Sequence, residues 1–333
     1  MQRLLSPVGG GISEVFQPIG LKNLIINGNF DVWQRGVSFA GNNGYSSDRF
    51  AHFKTGTMVV DASQQTDVPS STPNYSAFSL RHRVATAQAT LGASDISYIR
   101  YCVEGYHLRL LYKNPFTLSF WVKATVAGTY CVAFKNLDNT YCYIDEFVIN
   151  TASTWEKKSI VVPAWPAGTW DYASGIGLKI NWVLASGSNF NTTTKNWQTG
   201  NFYSTSKQVN AVAAAGNDFL LSQIQLEPGI IPTELENRPY NDELRLCQRY
   251  YCRLSVIAGG YAPAAASVLY FPIFLPQNMR GTPTYSLAGT ASRSNLSSVS
   301  LSNVSLNTCF AALTATAAGI GQVNETWEAN AEL

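Results

Sequence analysis

The stretch TLSFWVKA, Thr117 to Ala124, alternates strictly: Leu118, Phe120, Val122 and Ala124 fall on one side, Thr117, Ser119, Trp121 and Lys123 on the other. A period of two sends successive side chains to opposite faces of an extended chain, so this segment predicts a strand with one face in a core. The same texture returns in TYCVAFK (Thr129 to Lys135), YIDEFVI (Tyr143 to Ile149), KKSIVV (Lys157 to Val162), GLKINWVL (Gly177 to Leu184) and DFLLSQIQLE (Asp218 to Glu227). Short alternating runs parted by Gly, Asn and Ser turns predict an all-β, antiparallel sandwich. Asn189 to Asn217 is polar and weakly patterned, and predicts loops with at most one or two strands. Composition fits: apolar residues make up 46% and charged residues 13%, so there is material for a core under a surface of hydroxyls and amides. A net charge of +2 gives no electrostatic case for nucleic acid or an anionic membrane.

One segment departs from the period of two. NDELRLCQRYYCRL, Asn241 to Leu254, has a capping residue, acids in its first turn and arginines late, with Leu244, Cys247, Tyr251 and Leu254 on one helical face. It predicts a linking helix over 241–254. Residues 21–240 then form the body, and 255–333 a smaller C-terminal β domain containing the apolar run VLYFPIFLP. The first 20 residues carry Pro7, Gly9 to Gly11 and Pro18 with little periodicity. They read either as a loose leader or as a docking peptide that orders on a partner. No apolar run reaches the roughly 18 residues of a membrane span, and none near the N-terminus has the length of a signal-peptide core.

Motifs for catalysis are missing. His52, His82 and His107 are scattered, and His82, in LRHRV, reads as part of a basic strand face. There is no GxSxG, Walker, HExxH or EF-hand pattern. A glycosidase pair drawn from distant strands is the one chemistry that spacing leaves open, with Asp31, Asp48, Asp145, Glu146 and Glu227 as bare candidates. The expectation is no enzyme, no cofactor and no metal. Six cysteines show no metal-ligand spacing. Cys131 and Cys142 could face each other across TYCVAFKNLDNTYCYI, but buried free thiols are the expectation for all six.

Most of the 8 Trp, 17 Tyr and 16 Phe must be core and interface residues, but one stretch is different. PAWPAGTWDY puts Trp165, Trp170 and Tyr172 in a Pro- and Gly-bounded loop, and TTTKNWQTG gives a further loop ring, Trp197. Planar rings stack on the apolar face of a sugar while nearby amides and carboxylates bond its hydroxyls. These four are the candidate glycan-binding residues. The competing reading is that the rings pack beneath their own loops or against a neighbouring subunit.

Three stretches carry a resemblance. NLIINGNFDVWQRG (Asn23 to Gly36) with GYSSDRF (Gly44 to Phe50) is the first; FLLSQIQLEPGIIPTELENRPYNDELRLCQRYY (Phe219 to Tyr251) is the second; FPIFLPQNMRGTPT (Phe271 to Thr284) with the terminal ANAEL is the third. Together they resemble a family of bacteriophage tail and fibre proteins. The first also resembles the opening strand of jelly-roll carbohydrate-binding modules. In those modules the acid after Phe, here Asp31, joins an acid of the last strand on a structural calcium; this chain has Ser222 and Gln223 there, so no metal is expected. The resemblance implies a jelly-roll body in a virion fibre assembled in the host cytoplasm. It further implies a homotrimer, attachment to the tail through residues 1–20, and binding of a host-surface polysaccharide. A capsid-attached head fibre or decoration protein without receptor duty is the alternative, and a polysaccharide depolymerase ranks below it, because no β-helical repeat is visible.

Overall fold

The computed structural model describes residues 22–333 except 42, 71–75, 194 and 290; the leader, 1–20, lies outside the described residues. The body strands are β1 (Ser38–Phe39), β2 (Gly44–Tyr45), β3 (Phe50–Thr55), β4 (Val59–Gln65), β5 (Ser79–Thr86) and β6 (Ile96–Glu104), a helical turn α1 (Gly105–Leu108), then β7 (Phe116–Ala124), β8 (Gly128–Lys135), β9 (Tyr141–Ile149), β10 (Glu156–Val162), β11 (Ile176–Ser186), β12 (Trp197–Thr199) and β13 (Asp218–Pro228). Six of them pair in the order β1-β4-β5-β13-β7-β10 and seven in the order β12-β9-β8-β11-β6-β3-β2. All of these pairings are antiparallel and most neighbours are distant in sequence, which is the jelly-roll arrangement. The inward faces meet in one core, with Leu118, Phe120 and Val122 of β7 against Trp182 of β11 and Phe134 of β8.

The motif Asn23 to Gly36 wedges one end of this sandwich. Asn27 takes the left-handed conformation with φ 63°, and its side chain bridges Val32 and Asp48. Gly28 is needed for proximity: a Cβ there would stand 2.3 Å from the carbonyl oxygen of Ile224. Arg238 clamps this motif to the exit of β13, donating to the carbonyls of Ile25 and Asn23 and pairing with Glu236 and Glu243.

The helix is shorter than its apolar spacing predicts. It runs Tyr240–Gln248 as α2, and the chain re-extends as β14 (Tyr251–Ala262). Cys247 and Tyr250 pack on Ile26 and Val32. Tyr251 and Leu254 lie on the strand instead, because Cys252, Leu254 and Val256 follow a period of two into the next core. That core belongs to β14, β15 (Val268–Phe274), β16 (Thr284–Leu287), β17 (Ser292–Ser294), β18 (Leu296–Asn303), β19 (Thr308–Ala315) and β20 (Gly319–Asn330). A sheet of β14, β20, β16 and β17 packs on one of β15, β19 and β18 through Val256, Val299, Leu313 and Val323.

The last residues return to the body. Glu332 forms ion pairs with Arg49 and, at 3.2 Å, with Arg35. Arg49 lies over the Tyr250 ring at 3.5 Å and Arg35 over Tyr251 at 3.5 Å. Glu104 takes Arg249 at 2.6 Å and the Tyr250 hydroxyl at 2.6 Å. Body and C-terminal sheets are therefore riveted through buried charges.

The cysteine expectation holds, and the reading of His82 is corrected. Cys131 and Cys142 do not face each other: Cys131 sits opposite Glu146 and Cys142 opposite Lys135. Asn136 widens the turn by accepting the amides of Thr140 and Tyr141 at 2.9 and 3.1 Å. All six thiols are free and buried. His82 belongs to no basic face; it points inward with Leu80 and Val84, its ring 5.1 Å from that of His52.

Candidate functional site

The four sequence-predicted rings converge at one end of the sandwich. Trp165, Trp170 and Tyr172 lie in the β10–β11 loop, as their Pro and Gly neighbours imply. Trp197 does not lie in a loop: it opens β12, paired to Tyr143 on the edge of the seven-stranded sheet. That pairing carries it to the others. Ring centroids are 4.9 Å apart for Trp165 and Trp170, 5.5 Å for Trp170 and Trp197, and 6.4 Å for Trp165 and Trp197. Trp165 Nε1 donates to the Tyr172 hydroxyl at 3.3 Å.

Three rings that sequence reasoning missed complete the cluster. Tyr141 lies flat against Trp197, 5.8 Å away at 4°; Tyr143 tilts onto it at 5.4 Å; Tyr112 meets Tyr172 edge-on at 5.5 Å. The signal for the first two was the period of two in YCYI, which puts both on one face of a strand. Such ring pairs contribute about 0.5–1.5 kcal/mol each beyond burial. Gly168 sits at φ +96°, and a Cβ on it would lie 3.0 Å from Tyr141 and 3.1 Å from the Trp170 indole nitrogen; glycine lets the loop fold onto the rings.

The rings differ in what they can offer. Trp165 is buried against the core, 6.3 Å from Phe116, and supports the others from beneath. Trp170, Tyr172 and Trp197 are half-buried. Their orientations are fixed from within: Trp170 Nε1 donates to the Ala167 carbonyl at 2.9 Å, and Trp197 Nε1 to that of Pro163 at 2.8 Å. Trp170 and Trp197 stand at 90° to each other. Polar groups border them: Arg109 donates to the Tyr172 carbonyl at 2.6 Å, and Asn136 to that of Thr169 at 3.3 Å. Burial, with Asp145 adding to it, pushes the Tyr143 hydroxyl up to about 12, so this phenol stays neutral at physiological pH.

No family model matches the chain, and no curated protein matches it. Distant likenesses to solved structures exist. The enzymatically active domain of tailspike protein 4 of bacteriophage CBA120 is 14% identical with a TM-score of 0.37, over 62% of this chain and 21% of that one; the chain thus spans about a fifth of that domain. The family 11 carbohydrate-binding module of the cellulase Lic26A-Cel5E of Clostridium thermocellum is 9% identical with a TM-score of 0.32, over 59% and 98%. The C-terminal family 22 module of Xyn10B of the same organism is 9% identical with a TM-score of 0.32, over 61% and 100%.

The other candidates do not assemble. Among the described residues no group of three or more His, Cys, Asp or Glu gathers as a metal cage. Asp31 is raised to about 6 by burial and by the nearby Glu243, which is itself paired with Arg238. Asp145 pairs with Lys195 at 3.9 Å and Glu146 with Lys207 at 3.2 Å. Glu227 holds Thr233 and Gln225, and Asp48 holds Gln34; each acid is engaged locally.

Proposed function

We propose that this chain is a non-enzymatic fibre protein of a phage particle, a homotrimer that holds a host-surface glycan against the rings of Trp170, Tyr172 and Trp197. The observation that carries the reading is the convergence of these half-buried rings with their indole N–H groups already satisfied inside the protein. A ring pinned in this way loses little freedom when a sugar stacks on it. Attachment to the virion falls to residues 1–20. Trimer contacts fall to the outward stripe of β15, where Tyr270 and Phe274 are 66% and 72% exposed, since apolar rings of this size are seldom left in water.

A stacking ring contributes on the order of 1–2 kcal/mol. Trp170→Ala, Tyr172→Ala and Trp197→Ala should each weaken adsorption to host cells about tenfold while native mass and circular dichroism stay those of the wild type. Trp165→Ala removes a buried ring and should cost about 3–5 kcal/mol of stability instead. If the triple variant adsorbs like wild type, the glycan reading of this cluster fails, and a capsid decoration protein, which needs rings only for packing, becomes the better account.

A further inference from the structure

The outer face of the four-stranded C-terminal sheet holds a second arrangement suited to a ligand. Strands β14, β20 and β17 place three rows side by side: Ile257 beside Asn324 beside Ser292, Gly259 beside Gln322 beside Ser294, and Tyr261 beside Ile320. The result is an open groove of about 690 Å³, within the range of small-molecule sites. Gly259 makes room for the stem of Gln322, whose Cγ would lie 3.0 Å from a Cβ at that position.

The chemistry of the lining selects its occupant. Tyr261, Ile257 and Ile320 are 67%, 72% and 63% exposed and offer one aromatic and two aliphatic surfaces. Between them the amides of Gln322 and Asn324 and the hydroxyls of Ser292 and Ser294 face outward. None of these four side chains has a hydrogen-bond partner among the described residues. An amide both donates and accepts, as a hydroxyl does, so the floor matches a ligand studded with hydroxyls. It does not match a charged one: the single charged lining residue, Arg293, is paired with Glu325. That ion pair ties β17 to β20, and Glu325 is held in place by accepting Trp327 Nε1 of its own strand at 2.9 Å.

We propose that this groove is a saccharide site in the C-terminal domain, binding a neutral, hydroxyl-bearing glycan whose pyranose ring stacks on Tyr261 while its hydroxyls bond Gln322 and Asn324. The proposal rests on the reading of the chain as a glycan-binding fibre, and gives it a second contact point separate from the loop cluster. Two weak contacts on one particle multiply into firm attachment.

The test uses the full chain with neutral tetrasaccharides of the gluco-, galacto- and manno- series as probes, followed by calorimetry and by the side-chain amide signals of Gln322 and Asn324 in NMR. Tyr261→Ala and the double variant Gln322→Ala/Asn324→Ala change only exposed side chains, so folding should survive, as circular dichroism checks. Each should weaken at least one probe tenfold or more, while Trp170→Ala leaves the amide shifts in place; that result supports the groove whatever becomes of the loop cluster. Binding that survives both groove variants and is lost in Trp170→Ala overturns the groove and leaves the loop reading standing. No binding of any probe by the wild-type chain overturns both. A lower native mass in Tyr261→Ala with unchanged affinity per chain assigns the face to a second copy of the chain and overturns the saccharide site.

Discussion

His82 makes acid stability a sharp test of the core. Its ring is fully enclosed between the sheets, neither ring nitrogen has a hydrogen-bond partner, and His52, itself bonded to Ser97 at 2.9 Å, stands opposite. Burial, reinforced by the nearby His52, pushes the imidazole well below its ordinary 6.5. The folded state thus keeps His82 neutral, whereas the unfolded chain takes a proton near pH 6.5. Stability from this residue is complete above that pH and falls as pH drops, by up to about 1.4 kcal/mol per unit. The loss continues as pH falls until the folded-state imidazole itself takes a proton. Asp31 and Asp48 work in the opposite direction: both are raised to about 6, so the fold gains from them as pH falls toward the unfolded carboxyl value. Comparing wild type with His82→Leu removes their contribution. Urea unfolding followed by tryptophan fluorescence at half-unit steps should show the leucine variant less pH-sensitive by about 1.4 kcal/mol per unit below 6.5. At pH 8 it should be no less stable, since an apolar group replaces a buried, unpartnered polar one. Parallel pH profiles for the two proteins would refute the reasoning.

Two further outcomes are expected. Glu332→Ala should destabilise by about 3–5 kcal/mol, because it leaves Arg49, 1% exposed, as an uncompensated buried cation; thermal unfolding measures it, and a change under 1 kcal/mol would show that the pair is not desolvated as described. Second, the six buried thiols should react with an aromatic disulfide reagent only after denaturation, and burial pushes the Cys131 thiol up to about 11, which slows it further; fast labelling of the native protein would contradict the packing.

The strands were legible because their faces are unequal. Leu118, Phe120 and Val122 enter the core as their spacing requires, and the Pro and Gly residues around Trp165 do mark a loop. His82 was misread as part of a basic face because charge class was put ahead of period: Leu80 and Val84 share its parity, and it is buried with them. The helix end was harder, since Tyr251 and Leu254 fit a helical face and a strand equally until Val256 is included. Register was hidden because it depends on one side chain: the Asn136 amide enlarges the turn and carries Cys142 away from Cys131. The convergence of Trp197 on Trp165 and Trp170 could not be read locally, since it is produced by pairing β12 with β9, and the groove at Tyr261 needs three strands from separate parts of the chain.

The return of Glu332 to Arg49 has a consequence for how the protein is made. The two residues are 283 positions apart, and translation at about 5–20 residues per second puts roughly 14–57 s between their appearances. Only in the later part of that interval, once β13 has been made, does the sandwich have its strands, and it still lacks the acid that neutralises its enclosed guanidinium. The charge balance at the seam closes only when residue 332 has emerged, so a chain truncated before it keeps its sheets around an uncompensated cation.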